Sequence, residues 1–312
     1  MGQLLFAIFK TTRPRQWLKN VAVFTPILFT GKFFQPAFFV PSLWAFIALC
    51  CFSSSSYIIN DILDAAKDRK HPFKKFRPIA SGKLPVPIAL FTSLGLFIIG
   101  MIIAASLGTT FLLLSIGFIC LQYGYSLVLK HIVVIDILAI TAAYFIRVYA
   151  GEAATGYHIS VWLALAAFSL ALFLATGKRR AELTLIQGYQ GIVPKDTRDS
   201  LSHYSEKLLD TYTAMFANST FITYAYYTFL EKPSNLGFFF KNYEDFGVGL
   251  PDRKWMMITI PFVLYGIMRY MQLIYEGKGE SPEKILTSDI PLLTTILLWV
   301  GSVLLVIYGI GG

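Results

Sequence analysis

Charged residues are few in this chain. Asp, Glu, Lys and Arg together make up 14% of its 312 residues, whereas hydrophobic residues make up 55%. A soluble globular domain carries about 25% charged residues and cannot bury so large an apolar fraction. The composition, with a mean hydropathy of +0.60, therefore excludes an ordinary soluble domain and predicts that lipid surrounds most of the chain.

Cysteine and histidine are also few. Cys50, Cys51 and Cys120 lie in apolar runs and lack metal-ligand spacing. Neither a disulfide framework nor a zinc site is supported, and the three thiols are predicted to pack in the core. The four histidines show no arrangement typical of a catalytic triad, so chemistry centred on histidine is not indicated.

Long apolar stretches recur along the whole sequence, and each can cross about 30 Å of hydrocarbon. The polar connections between them are mostly too short to fold alone, which predicts one integral membrane domain over residues 1–312. We predict an all-α, polytopic protein with about nine spans. They are roughly 17–36, 38–59, 85–105, 109–129, 132–152, 159–176, 208–230, 254–275 and 290–310.

Basic residues are distributed unequally between the two sides of this layout. The side that includes the N-terminus has about four times as many Lys and Arg residues as the other. This bias predicts a multi-pass protein of the inner (plasma) membrane whose N-terminus and longer connections face the cytoplasm. Because topology accounts for the net charge of +9, nucleic acid is not predicted as a partner. The sequence does not indicate an oligomeric state.

Three predicted cytoplasmic connections are longer than a turn requires. They comprise residues 60–84, 177–207 and 276–289. Long connections in compact proteins usually carry function, so we expect the site to be built from these segments. Segment 177–207 is a candidate lid.

The second predicted span ends in NDILDAAKD, residues 60–68. On a helix, Asp61, Asp64 and Asp68 share one face with Asn60 beside them. Three carboxylates on one face repel one another unless a cation is bound, and oxygen ligands of this kind suit Mg²⁺. We predict Asn60, Asp61, Asp64 and Asp68 as metal ligands, with Asp61 and Asp64 catalytic. The alternative is a solvated helix end that pairs with Lys67, Arg69 and Lys70.

Arg77 follows these aspartates in a loop stiffened by proline. A guanidinium held in this way suits phosphate oxygens in a fixed geometry. The alternative for the loop cations is ordinary positive charge at the cytoplasmic surface, which we retain for Lys74 and Lys75. His71 is interpreted as a packing residue of the loop.

A second polar patch contains Tyr125, Lys130 and Asp136. Asp136 lies just inside the fifth predicted span, and Arg147 lies deeper in it. Ionisable residues inside a membrane tend to face a cavity or a partner, so Asp136 is a further candidate catalytic residue of a metal or phosphate site. A simple Asp136–Lys130 pair is the alternative. Arg147 has two interpretations: a pair with Glu152 or support of the site from below.

These motifs resemble those of a known family. The run NDILDAAKDRKHPFKKFRPIASG, residues 60–82, resembles the first aspartate-rich motif of the UbiA superfamily of intramembrane prenyltransferases. The segment from Tyr125 to Asp136 stands where that family has its second motif. It has a Tyr and a Lys where a further carboxylate is expected. The resemblance extends over nearly the whole chain and implies nine helices around a central cavity, with both motifs at its cytoplasmic mouth.

Further segments are similar to one branch of that family, the polyprenyl-phosphate (decaprenyl-type) phosphoribosyltransferases. They are residues 13–20, His71-Pro72, residues 177–183, residues 281–283 and residues 288–289. The resemblance implies Mg²⁺ as cofactor, 5-phosphoribosyl diphosphate as donor and a polyprenyl phosphate lipid as acceptor. It also implies a product that serves as precursor of arabinose donors for the cell envelope.

That reaction brings a diphosphate, a 5-phosphate and a lipid phosphate together, so it requires more cations than prenylation of an aromatic ring. A lysine at position 130, in place of a carboxylate, suits a second bound phosphate. Each cation taken singly can equally serve topology alone. We predict substrate-phosphate binding by Lys19, Asn20, Arg77, Tyr125, Lys130, Arg147, Lys178, Arg179 and Arg180.

Two other functions remain open on the sequence. An aromatic or quinone prenyltransferase would use the same metal motif on an isoprenyl diphosphate. An anion transporter would line its path with the same polar patches, although no inverted repeat or midplane helix break is visible. Release of diphosphate distinguishes an enzyme from a transporter.

Overall fold

A computed structural model describes residues 2–69, 74–187, 199–230, 255–277 and 282–310. Helices account for most of these residues, and no β-strand occurs among them. Seven helices within this part of the chain are long and apolar enough to cross a membrane, which confirms the predicted all-α membrane fold. These are Pro36–Leu63, Val86–Ser106, Thr109–Leu127, Ile135–Thr155, Val161–Thr184, Trp255–Tyr275 and Ile290–Ile310.

The α-helices are α1 (Gly2–Thr11), α2 (Thr25–Phe29), α3 (Pro36–Leu63), α4 (Ala65–Asp68), α5 (Val86–Ser106), α6 (Thr109–Leu127), α7 (Ile135–Thr155), α8 (Val161–Gln187), α9 (Glu206–Leu230), α10 (Ile260–Tyr275), α11 (Pro282–Ser288) and α12 (Ile290–Leu304). A 3₁₀ helix, Pro14–Phe24, follows α1 and is called the 3₁₀ segment below. Shorter 3₁₀ turns lie at Lys74–Phe76, Leu129–His131, Asp199–His203 and Trp255–Thr259, and a π-helical turn at Leu305–Ile310 ends the described chain.

Two of the nine predicted spans differ from this set. Residues 17–36 form the end of the 3₁₀ segment and the five-residue α2 rather than a spanning helix. The reason is that Lys19 and Asn20 turn towards polar partners inside the protein. Residues 208–230 do form a helix, α9, but its charged first turn and many threonines make it less apolar than the seven.

Helix boundaries follow proline and glycine. Proline occupies the first or second position of α3, α5, α10 and α12, where its missing N–H has no helical partner to lose. Asp289 caps α12 by accepting a bond from the Leu292 N–H at 2.9 Å. Gly156 ends α7 in the left-handed conformation with φ 72°.

Helix α7 lies at the centre of the bundle, in contact with α3, α6, α8 and the 3₁₀ segment. A Cβ at Gly151 would lie 1.9 Å from the carbonyl oxygen of Val23, so only glycine permits this close approach. Phe52, Phe111 and Phe118 fill the core beside it. Cys50 and Cys51 are buried as expected, but Cys120 is exposed on the outer face of α6, so its predicted core position was wrong.

The ends of several helices meet at one face of the bundle. Ion pairs link the last turns of α8 to the start of α7 through Arg179 and Asp136, and to the start of α9 through Arg180 and Asp210. Arg269, near the end of α10, pairs with Asp289 at the start of α12. The end of α3 carries the aspartate motif to the same connections. This face therefore brings the predicted site segments together.

Candidate active site

The aspartate motif lies where α3 ends. Helix α3 stops at Leu63, Asp64 follows it with φ −86° and ψ −2°, and α4 carries Asp68. The three carboxylates thus sit on two successive helical segments instead of the single helix that was predicted. The main-chain ladder nearly continues, since the Asp68 N–H bonds the Asp64 carbonyl at 2.8 Å. Asp61 and Asp68 are buried, and Asp64 is half-buried.

Two arginines neutralise the buried pair of carboxylates. The Arg77 Nη1 lies 3.0 Å from Asp61 Oδ1 and 2.6 Å from Asp68 Oδ2. The Arg13 Nη2 donates to the same Asp61 oxygen at 2.5 Å. Arg77 therefore bonds carboxylates in this structure, and its contact with a substrate phosphate stays a prediction. Asp61 and Asp68 both pair with Arg77, whereas Lys70, one of the cations of the solvated alternative, lies outside the described residues.

The donor set fits a divalent cation. Asn60 donates to Asp64 at 3.1 Å, which places an amide and a carboxylate side by side next to Asp61. One guanidinium nitrogen, Arg77 Nη1, lies between Asp61 and Asp68, where a cation between carboxylates is favourable. Among the described residues no three His, Cys, Asp or Glu side chains form a metal cluster. Mg²⁺ needs only one or two carboxylates, with waters and substrate phosphates completing its shell, so a set of this size suffices.

The second motif is built around the buried Asp136 at the start of α7. Its Oδ2 lies 2.7 Å from Arg179 Nε, and both side chains are fully buried. Tyr204 donates to Oδ1 at 2.8 Å, and Ser200 lies 3.3 Å from Oδ2. Lys130 is not its partner, so the proposed Asp136–Lys130 pair was wrong. Asp136 anchors the connection between α8 and α9 to α7.

Tyr204 also supports unusual backbone at the same place. Val134 has φ 68° and ψ −44°, a conformation that a β-branched residue rarely adopts. Its N–H donates to the Tyr204 hydroxyl at 2.7 Å. Burial and the bond to Asp136 raise the pKa of the Tyr204 phenol, so the hydroxyl stays protonated and donates to that carboxylate. This strained backbone at Val134 immediately precedes the start of α7, where Asp136 lies.

Among the other basic residues predicted to bind substrate phosphates, the two arginines at the end of α8 bind carboxylates, and the two lysines are half-buried. Arg179 also bonds Glu182 and Tyr125, the latter at 2.5 Å. Arg180 binds Asp210 at 2.6 Å and Glu206 at 3.1 Å, so it braces α8 against α9. Lys130 and Lys178 are both half-buried.

Arg147 lies beneath the site with Asn20. Its Nε donates to Asn20 Oδ1 at 2.7 Å, and its guanidinium stacks 4.7 Å from the centre of the Phe118 ring. Glu152 pairs instead with His158, at 2.6 Å, so the Arg147–Glu152 alternative was wrong. The support of the site from below is the interpretation that the contacts favour.

The 3₁₀ segment supplies another group of contacts. Gln16 donates to Glu283 of α11, and Lys19 lies 3.2 Å from Glu283 Oε2 and 2.5 Å from Gln16 Oε1. Burial opposes the charge of Glu283, but Lys19, Lys178 and Gln16 outweigh it and hold the pKa of Glu283 below its ordinary value. Burial likewise opposes the charge of Lys19, yet its surroundings, Glu283 among them, raise the pKa of Lys19. The lowered pKa of Glu283 and the raised pKa of Lys19 both favour the ionised forms of these two side chains.

The sequence analysis did not predict roles for four residues of this site, Arg13, Gln16, Tyr204 and Glu283, although the segments 13–20 and 281–283 carried the resemblance to one branch of the family. Their partners lie between 48 and 267 positions away along the chain, so no local spacing reveals them. In the structure, the length of the 3₁₀ segment marks Arg13 and Gln16 as part of a functional region, because 3₁₀ runs rarely exceed four residues and longer ones often mark strained or functional backbone. Predicted motif residues 71–72 and 281, and the middle of the candidate lid (188–198), lie outside the described residues.

Residues 23–181 match the model of the UbiA prenyltransferase family. The decaprenyl-phosphate phosphoribosyltransferase of Corynebacterium glutamicum is 33% identical over 96% of this chain and 86% of its own length. The enzyme of the same name from Mycolicibacterium smegmatis is 31% identical over 98% of this chain and 93% of its own length.

A solved structure has the same fold. The UbiA homolog from Archaeoglobus fulgidus bound to GPP and Mg²⁺ superposes with a TM-score of 0.68 at 18% identity, covering 95% of this chain and 98% of that protein. At this identity the likeness concerns the fold alone. The full-length relatives exclude the transporter interpretation, because they are phosphoribosyltransferases and residues 23–181 match a prenyltransferase family.

Proposed function

The chain belongs to the UbiA prenyltransferase family and is a membrane transferase, and we propose that it transfers 5-phosphoribose from 5-phosphoribosyl diphosphate to a polyprenyl phosphate. The observation that carries the proposal is the identity of 33% along nearly the whole chain with a decaprenyl-phosphate phosphoribosyltransferase. The concentration of buried and half-buried cations at one face supports it, because the reaction requires several phosphates in one place.

Asn60, Asp61, Asp64 and Asp68 would hold Mg²⁺. Bound there, the ion would neutralise charge that builds on the departing diphosphate. Arg77 and Arg13, which bond Asp61 in this structure, would bind oxygens of that leaving group.

The chemistry exchanges one bond for another. The C1–O bond to diphosphate breaks, and an oxygen of the lipid phosphate forms the new bond to C1. A lipid phosphate carries close to two negative charges near pH 7, since its second pKa is about 6, so it attacks without giving a proton to the protein. Positioning and electrostatics are then the main contributions of the protein.

Half-buried lysines are the best candidates for the phosphates. Lys130 and Lys178 are half-buried, and we assign them to substrate phosphates together with Tyr125, which bonds Arg179. Arg179 and Arg180 already bind carboxylates, so their contribution is to hold the neighbouring helices in place. Arg147 and Asn20 support the floor of the site. By the distribution of basic residues, the site faces the cytoplasm from the inner membrane.

Diphosphate release tests the proposal. Purified protein with Mg²⁺, 5-phosphoribosyl diphosphate and a polyprenyl phosphate should release diphosphate in proportion to a new lipid-linked phosphoribose. Omission of the lipid phosphate or chelation of the metal should stop both. Diphosphate release without a lipid product would mean hydrolysis and would contradict the proposed transfer.

A further inference from the structure

Glu283 is a buried acid in a site that must handle anions. Its side chain is 4% exposed, and it is ionised, as the direction of its pKa shift indicates. A buried carboxylate repels phosphates and costs free energy unless donors surround it. The proposed reaction gives Glu283 no role with any phosphate, so its place in the site requires another explanation.

The carboxylate keeps unused acceptor capacity. Gln16 donates to Oε1, while Lys19 lies 3.2 Å from Oε2 without hydrogen-bond geometry. Oε2 is buried and has no hydrogen-bond partner among the described residues. An ionised carboxylate accepts about four hydrogen bonds. The hydroxyl of Tyr270, close enough to interact electrostatically with Glu283, is buried and equally without a partner in the described part of the chain.

The 3₁₀ segment links Glu283 to the predicted metal site. Arg13, the residue just before this segment, bonds Asp61. Gln16 and Lys19, three apart and therefore on one edge of the 3₁₀ helix, contact Glu283. One short stretch of chain thus contacts both Asp61 and Glu283. A donor whose diphosphate lies at Asp61 would place its pentose along this stretch, towards Glu283.

We propose that Glu283, held by Gln16 and Lys19, accepts hydrogen bonds from the ribose hydroxyls of the donor and thereby selects a phosphoribosyl donor over an isoprenyl diphosphate. The inference rests on the proposed function and adds a residue that determines donor specificity. Adjacent sugar hydroxyls supply the O–H donors that the carboxylate needs. An isoprenyl chain has none, so it leaves the buried Oε2 without a hydrogen bond, and a site built to bond a substrate hydroxyl discriminates strongly against a substrate that lacks it.

Deoxygenated donors test this assignment. We would measure kcat/KM for 5-phosphoribosyl diphosphate and for its analogues that lack the 2-hydroxyl or the 3-hydroxyl. Wild-type protein should use at least one analogue about 10-fold or more less efficiently, as expected for loss of a bond to a charged group. Glu283→Ala should use that analogue and the natural donor within about threefold of each other, and Glu283→Gln should fall between, since neutral bonds are weaker.

Inhibition by inorganic diphosphate separates specificity from folding. In Glu283→Ala its inhibition constant should stay within about threefold of wild type, because diphosphate carries no hydroxyl for Glu283. Glu152→Gln, the counterpart of Glu283→Gln at the carboxylate that binds His158, should keep the wild-type preference. Equal losses on all donors, or weaker diphosphate inhibition, would make Glu283 a structural residue and overturn the inference. If wild-type protein forms no lipid-linked phosphoribose, the proposed function itself is wrong.

Discussion

Arg179 Nε lies 2.7 Å from Asp136 Oδ2, and neither side chain has any exposed surface. The pair joins the end of α8 to the start of α7. Removal of one partner from a buried ion pair leaves the other charge uncompensated, which is far more costly than the net contribution of the pair. The second motif therefore holds the fold of the site as well as lying beside it.

We predict that Asp136→Asn destabilises the protein by about 3 kcal/mol, at the lower end of the range for such pairs because Glu182 still binds Arg179. Thermal unfolding in detergent measures the effect. Glu152→Gln, whose partner His158 is exposed, is the matched control and should change little. Wild-type stability of Asp136→Asn would show that the pair is not essential to the packing of α7 and α8.

Asp61→Asn and Asp64→Asn should each lower turnover by about 100-fold or more, because each removes a carboxylate that would hold the metal during departure of diphosphate. Asp68→Asn should be milder in turnover, since Asp68 would contact the metal through a water. Turnover at saturating Mg²⁺, with unfolding curves as the check on folding, measures this. Full activity of either of the first two variants would contradict the metal assignment.

The ionisation of Glu283 makes a pH-dependent contribution to stability. Its pKa in the folded protein is below the ordinary value of 4.5, so the folded state favours the charged form. Such a group stabilises the fold above its ordinary pKa, and this stability is lost as pH falls through the folded value. Wild type should therefore exceed Glu283→Gln in melting temperature at pH 7, and the difference should shrink below about pH 4.5. A constant difference across that range would place the cause elsewhere.

The orientation in the membrane can be tested with single cysteines. In a background without Cys50, Cys51 and Cys120, cysteines at Lys207 and His158 should react with an impermeant thiol reagent from opposite sides. Lys207 lies in the first turn of α9 at the predicted cytoplasmic face, and His158 follows the end of α7 at the opposite face. The expectation follows from the bias of Lys and Arg between the two sides. Reaction of both from one side would contradict the predicted topology.

Local patterns predicted much of this molecule. Apolar length placed all seven spanning helices and two further segments that are not among them, and it put the aspartate motif at the end of α3, although Asp68 lies on α4. The sequence did not show which charged side chains pair with one another. From the sequence, Arg180 was predicted to bind phosphate, and the structure shows it paired with Glu206 and Asp210. The sequence assigned no role to Glu283, which the structure places in contact with Gln16 and Lys19 of the 3₁₀ segment. Such contacts depend on tertiary packing, which short-range periodicity does not encode.

The most direct test of the proposed reaction is a competition between two donor–acceptor pairs in one reaction mixture. Purified protein with Mg²⁺ would receive two donors, 5-phosphoribosyl diphosphate and an isoprenyl diphosphate, and two acceptors, a polyprenyl phosphate and an aromatic acid. Mass spectrometry of the products would identify which pair reacted. The account predicts lipid-linked phosphoribose and no prenylated aromatic product. A prenylated aromatic product without lipid-linked phosphoribose would leave the family and fold intact and would contradict the proposed reaction.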